Sequence, residues 1–283
     1  MTTAPGTHKT RVVIPGGGRS AQANWLEYGL EAWALGLFMV SACGFGVLLF
    51  HPSSPVLAAL PDPLARRLLM GAAMGLTAVL NAYSPWGRRS GAHANPAVTL
   101  AFLRLGRMPG CDAAGYVAAQ FAGGLLGVLL AARPLRSWIA DPSVDYVVTL
   151  PGPWGAGWAF AAELGISFLL MLVVLTVSAS PRAARFTGLA AGLLVAACIT
   201  LETPVSGMSM NPARSLGSAI PAMCWDALWV YLVAPPLGML LAAEARRRWS
   251  AGVAPGCAKY DHDPRYRCLF CEHRAATSPA SSG

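Results

Sequence analysis

The stretch "SGMSMNPARSL", Ser206 to Leu216, is too short to cross a membrane and carries an arginine, yet it has a counterpart in "SGAHANPAVTL", Ser90 to Leu100. Both run Ser-Gly, three residues, then Asn-Pro-Ala. Asn is a favoured helix N-cap, and Pro one position later forfeits nothing, because its N–H would be unpaired at any helix start. Asn95-Pro96 and Asn211-Pro212 therefore read as two helix starts. If each Asn oxygen caps its own helix, its amide NH₂ is left facing outward as a fixed donor. The apolar stretches here are short: "ANPAVTLAFL", Ala94 to Leu103, and "SLGSAIPAMCW", Ser215 to Trp225. About ten residues make roughly 15 Å of helix, half the hydrocarbon core of a bilayer. Such a piece can enter a membrane but not leave on the far side, so its lead-in must be packed in protein or line water.

The rest of the chain supplies the membrane context. Of 283 residues, 55% are hydrophobic and 12% charged, about half the charge usual in soluble domains. Apolar windows close to the ~20 residues that span a bilayer recur near Glu31 to Phe50, Leu68 to Ser84, Ala113 to Ala132, Trp158 to Ser178, Phe186 to Leu201 and Ala227 to Ala243. Glycine-rich runs within them, "FAGGLLG" and "GLAAGLL", suit close packing where no hydrophobic force draws helices together. The sequence thus predicts an all-α membrane protein with six transmembrane helices plus two re-entrant half-helices. No paired acid and base at a cleft suggests an enzyme.

The order helix, helix, half-helix, helix occurs twice, over about 25–140 and 141–249, with Glu31 early in the first helix and Glu163 early in the fourth. An odd number of crossings per unit inverts the second copy. The half-helices then approach from opposite faces and meet near the midplane, bringing two positive dipole ends together. Residues 1–24 hold Gly, Pro and scattered bases without an apolar run, so they read as a disordered tail rather than a signal peptide. Six crossings place both termini on one side. Making that side cytoplasmic gathers there all of the 21 Lys and Arg except Arg66, Arg67, Arg133, Arg136 and Arg214, in line with the positive-inside rule. The expected location is the plasma (inner) membrane, and the charge of +8 is a topology signal rather than a sign of nucleic-acid binding.

From about Glu27 to Arg248 the chain resembles the aquaporin family, the major intrinsic proteins. The two Asn-Pro-Ala loops match its signatures, "YVAAQFAGG" with Gln120 is similar to its third helix, and Glu31 and Glu163 match its buried glutamates. The resemblance implies an inverted-repeat, right-handed helix bundle, usually a homotetramer with one pore per subunit, in which Glu31, Glu163 and Gln120 brace the loops. It implies a passive channel for water and small uncharged solutes, with no cofactor required. Gly91, Ala92, His93 and Ala94 would line the pore on one side, and Gly207, Met208, Ser209 and Met210 on the other. Asn95, Pro96 and Ala97 would meet Asn211, Pro212 and Ala213 at the midplane, where the asparagines donate to passing water. The dipole ends and Arg214 would oppose protons and cations. Competing readings are a glycerol or metalloid-hydroxide facilitator with little water selectivity, and a poorly conducting membrane scaffold.

The resemblance also assigns four constriction positions. Three are Ile199, Met208 and Arg214. The fourth is Met74 if "MGL" is matched, or Gly75 by ungapped counting, because "NAYSPWGRRSGAH" carries one extra residue. Water channels usually place Phe and His at this filter, and glycerol facilitators Trp and Phe around a small residue. Ile199 removes a polar group, and without an aromatic wall the opening should be wider, more apolar and, with methionines, adaptable. Ser215, Ala219 and Tyr231 are similar to water channels, Leu232 stands where those usually have Trp, and the glycerol-type Asp after the Arg is absent.

Outside the resemblance, residues 250–283 carry "CAKYDHDPRYRCLFCEH". Cys257, His262, Cys268, Cys271 and His273 include a C-x-x-C and enough N/S donors for a tetrahedral zinc site. A cytoplasmic position argues against a stable disulfide. The competing reading is a basic tail with incidental thiols. Cys43, Cys111, Cys198 and Cys224 are scattered, as inert cysteines in or near a core are.

Overall fold

The computed structural model describes residues 24–249, 257–266 and 268–271, and among these residues it is helical with no strands. The first half runs through α1 (Trp25–Phe50), a short α2 (Pro55–Ala59), α3 (Pro63–Tyr83), a short α4 (Pro85–Ser90), the half-helix α5 (Pro96–Arg104) and α6 (Gly110–Leu135). The second half runs through α7 (Gly155–Ser178), α8 (Thr187–Leu201), a short α9 (Thr203–Ser206), the half-helix α10 (Pro212–Ala222) and α11 (Leu228–Trp249). Six helices, α1, α3, α6, α7, α8 and α11, are long and apolar enough to cross a membrane. Large apolar side chains such as Leu68, Leu130, Leu193 and Leu241 face outward on them, as a lipid-facing surface requires.

Local chemistry sets the element ends. The Asp62 carboxylate accepts from the N–H groups of Leu64 and Ala65, with Pro63 at the first helical position of α3. Ser84 accepts from Gly87 N at 2.9 Å and starts α4. Gly91 (φ +110°) and Gly207 (φ +78°) end α4 and α9 in the left-handed conformation, which glycine adopts without steric cost. Each turns the chain inward as a lead-in to a half-helix.

The halves interlock. Within each half the first and last long helices pack together, α1 on α6 and α7 on α11, while α3 packs on α8 across the halves. Each half-helix sits on the last helix of the other half, α5 on α11 and α10 on α6. Close approach of α1 and α6 depends on Gly123, where a Cβ would stand 2.1 Å from the Ala32 carbonyl oxygen.

Several expected boundaries shift for physical reasons. α1 begins at Trp25 rather than near Glu31, because Glu27 is buried yet paired with Arg89 Nε at 3.2 Å. α6 begins at Gly110 because buried Asp112 accepts from Asn24 Nδ2 (2.8 Å) and Tyr28 Oη (2.6 Å). α11 continues to Trp249, with Arg247 and Arg248 paired to Glu244. The second half-helix covers Pro212–Ala222 instead of Ser215 to Trp225. Its cap fixes the start, and Met223 in a left-handed conformation (φ 51°) stops it. Of the scattered cysteines, Cys43 and Cys198 are buried, but Cys111 is exposed at the start of α6 and Cys224 is half-buried. The expected tail 1–24, apart from Asn24, and His273 lie outside the described residues.

Candidate functional site

Both half-helices are capped by their asparagines. Asn95 Oδ1 accepts from Ala97 N at 2.9 Å, and Asn211 Oδ1 accepts from Ala213 N (3.1 Å) and Arg214 N (3.2 Å). The amide groups then cross between halves: Asn95 Nδ2 donates to Met210 O at 2.7 Å, and Asn211 Nδ2 donates to Ala94 O at 2.8 Å. The two motifs are clasped head to head, and each amide retains a second N–H. Pro96, Ala97, Pro212 and Ala213 are buried in the first turns behind the caps.

The lead-ins carry unusual backbone. Ala92 (φ 58°), Ala94 (φ 45°), Met208 (φ 53°) and Met210 (φ 54°) are left-handed, a conformation costing about 1–2 kcal/mol per non-glycine residue. Successive N–H groups turned to one side form a concavity for an anion, and a buried carboxylate fills each. Glu31 Oε1 accepts from Ser90 Oγ (2.7 Å) and His93 N (3.1 Å), and its Oε2 from Ala94 N (2.6 Å) and Gln120 Nε2 (2.8 Å). Glu163 Oε1 accepts from Ser206 Oγ (2.8 Å) and Ser209 N (2.6 Å), and its Oε2 from Met210 N (2.8 Å). Two tyrosines complete the frame: Tyr116 Oη donates to Ser90 O (2.7 Å) and Tyr231 Oη to Ser206 O (2.6 Å). Sequence reasoning missed that role, although a Tyr at matching places in "YVAAQ" and "YLVAP" was a usable signal.

A cavity of about 360 Å³ runs past both motifs. Ala92 to Asn95 line it from one lead-in and Gly207 to Asn211 from the other. Gly91 does not line it; its carbonyl instead accepts from Tyr260 N at 3.2 Å. His93 is pinned on both ring nitrogens. Its Nε2 donates to Ala258 O at 2.7 Å, so in the neutral ring Nδ1 accepts from the Thr99 hydroxyl at 3.0 Å.

Met74, Ile199, Met208 and Arg214 lie on this one cavity. Gly75 faces α8, where a Cβ would stand 2.6 Å from Gly192 O. Of the two alternatives, Met74 and not Gly75 lines the cavity, alongside Arg67, Met70, Ala78 and Asn81 of the same helix. Arg214 Nη1 donates to the Thr149 hydroxyl, which lies 3.1 Å from Ser215 Oγ; Ser215 Oγ in turn is 2.6 Å from Ser209 Oγ. Nothing in the sequence around Thr149 pointed to this contact. Leu232 is partly exposed on the outside of α11 and is absent from the cavity wall, whereas Ala219 is buried. Chemically, the site sets lead-in backbone, the amides of Asn81, Asn95 and Asn211 and the guanidiniums of Arg67 and Arg214 against apolar walls such as Phe38, Ala42 and Val195.

The C-terminal cysteines come together beside this cavity, where Cys257 and Cys271 line a second one that shares Tyr260 with it. The donor atoms of Cys257, His262, Cys268 and Cys271 all lie within 4.8 Å of one another. A hydrogen bond from Cys257 holds the Cys268 thiol below its usual range. Bonds from Arg265 hold the Asp263 carboxyl at about 2. Tyr260, between Cys257 and His262, forms part of the cavity wall.

Comparison with known proteins agrees with this architecture. The chain is 35% identical over 218 residues to "Glycerol uptake facilitator protein-like 6" of Lactiplantibacillus plantarum, covering 74% of this chain and 96% of that protein. It is 40% identical over 180 residues to "Aquaporin NIP6-1" of Arabidopsis thaliana, covering 63% of this chain and only 57% of that protein. The aquaglyceroporin from Plasmodium falciparum shares the fold, with a TM-score of 0.65 at 21% identity over 80% of this chain and 96% of that one. The family model for "Major intrinsic protein" matches residues 20–245. Six membrane-length helices, two capped half-helices and that match together place this chain in the major intrinsic protein family of membrane channels.

Proposed function

We propose that the chain is a passive channel for water and small uncharged solutes that excludes ions and protons. The observation that carries this reading is the pair of crossed asparagines on one continuous cavity, each with an amide N–H left over. A water molecule at the centre accepts from those donors and must point its own hydrogens outward on both sides. That orientation interrupts a proton wire, while the half-helix dipole ends and Arg214 repel cations. Loop carbonyls on either side replace the hydrogen bonds that water leaves behind.

The methionine and isoleucine walls favour solutes larger than water alone. Met74, Met208 and Ile199 contribute no hydrogen-bonding group, so discrimination rests on shape and on Arg214, and methionine yields to shape. Glycerol or a neutral hydroxide acid fits such an opening, and one relative carries glycerol uptake in its name. We place both termini on the cytoplasmic side and assign a homotetramer with one pore per subunit. Crosslinking in native membranes tests the assembly.

Proteoliposomes test the transport. With sucrose as osmolyte in the presence of EDTA, vesicles should shrink faster than empty ones; with glycerol they should shrink and then reswell. Rates equal to empty vesicles in both arms would favour the scaffold reading, and flux that depends on a proton or sodium gradient would favour a coupled transporter.

A further inference from the structure

Cys257, His262, Cys268 and Cys271 follow the spacing C-x₄-H-x₅-C-x₂-C. Their donor atoms lie within 4.8 Å of one another, with the shorter separations 3.2 Å between Cys257 and Cys268 Sγ and 3.1 Å between His262 Nε2 and Cys271 Sγ. A tetrahedral zinc ion with Zn–S near 2.3 Å and Zn–N near 2.0 Å has donor–donor edges of about 3.5–3.8 Å. Those edges fall inside the observed range, so small side-chain movements complete the site. Cys268 Sγ also accepts from Phe270 N at 3.4 Å, a backbone bond of the kind that orients a thiolate ligand. Buried Lys259 lies beside the cluster and balances the net negative charge of three thiolates around one divalent ion.

What the ligands hold matters as much as the donor set. Between Cys257 and His262 the chain lies against the first lead-in: Ala258 O accepts from His93 Nε2, and Tyr260 N donates to Gly91 O. Lys259 Nζ donates to Arg88 O at 2.7 Å, and Asp261 pairs with Arg88 Nε at 2.7 Å. Phe270, between the other two ligands, stacks on the His93 ring at 5.7 Å and 11°. Tyr260 is shared by the channel cavity and a second cavity of about 290 Å³ that Cys257, His262 and Cys271 also line, so it stands at their boundary.

We propose that these four side chains bind one zinc ion, and that the metal-closed loop seats Tyr260 in the channel mouth and holds the channel shut. The second clause rests on the channel reading above; the first does not. A short loop docked through a few hydrogen bonds loses backbone entropy when it orders. A metal that fixes its shape beforehand removes much of that loss, because metal binding and folding are coupled. Chelation therefore releases Tyr260 and opens the mouth.

The test uses the full-length protein purified without chelator. Elemental analysis should find about one zinc per chain, as a four-ligand structural site holds, and none in Cys268→Ser/Cys271→Ser. Cobalt(II) in its place should give thiolate charge-transfer and tetrahedral d–d bands. In proteoliposomes, water permeability should rise severalfold with EDTA or in the double variant. Tyr260→Ala should be open while still holding zinc, which separates the plug from the clasp. Zinc-free protein, or a Cys257–Cys268 disulfide found by mass analysis, overturns the metal site. Zinc-loaded protein whose permeability exceeds that of empty vesicles and is unchanged by EDTA and by Tyr260→Ala overturns the gate. Vesicles as tight as empty ones in every arm contradict the channel reading and the gate with it, and the zinc content alone then decides the site.

Discussion

Glu163→Gln isolates the device that holds the second lead-in open. The carboxylate accepts three hydrogen bonds, from Ser206 Oγ on one oxygen together with Ser209 N, and from Met210 N on the other. A glutamine keeps only one acceptor. Whichever way its amide is turned, one backbone N–H, of Ser209 or of Met210, faces an NH₂ group; the Ser206 hydroxyl can reverse, but an N–H cannot. A charge-assisted bond is worth about 1.5–3 kcal/mol, and a buried donor without a partner costs about 1–3 kcal/mol. The sum, about 2.5–6 kcal/mol with its middle near 4, is larger at its centre than the roughly 2–4 kcal/mol needed to keep Met208 and Met210 left-handed. The lead-in should therefore relax and occlude the cavity. Thermal unfolding in detergent should fall by at least ~5 °C, at about 2–4 °C per kcal/mol for chains of this size, and water permeability in EDTA-treated vesicles, the condition for the flux assays below as well, should drop to near that of empty vesicles. Wild-type Tm together with wild-type permeability in Glu163→Gln would refute the reasoning.

Arg214→Ala removes the only guanidinium bound to Thr149 in the described structure; it should raise glycerol flux relative to water and admit monovalent cations, read by stopped-flow light scattering and by ion-sensitive dyes. Met74→Ala should likewise raise the glycerol-to-water ratio with little change in Tm. Gly75→Ala should do the reverse, because its Cβ would meet Gly192 O at 2.6 Å and Ala196 Cβ at 2.8 Å. Overpacking of that kind costs about 1–3 kcal/mol, so Tm should fall while the solute ratio holds.

The sequence made the half-helices legible because an Asn cap followed by Pro is a local signal: Asn95 and Asn211 start α5 and α10 whatever surrounds them. The six long spans were legible from apolar length alone. Their ends were not, because charge excluded Glu27 and Asp112 from the apolar windows while the fold buries both against partners far along the chain, Arg89 and Asn24. The short helices α4 and α9 were missed for want of length, though each places its Ser and Gly to start a lead-in. Thr149 and the docking of Tyr260 on Gly91 arise from contacts between distant segments that no periodicity encodes. The donor set Cys257, His262, Cys268 and Cys271 could be read from spacing; its place against the first lead-in could not.

Water and proton flux measured in the same EDTA-treated vesicles, by light scattering and an enclosed pH dye, bear most directly on the crossed asparagines as a pore centre. Rapid shrinkage with an unchanged internal pH across an imposed proton gradient is the expected result. Proton flux that rises with water flux, or no water flux above empty vesicles, would contradict it.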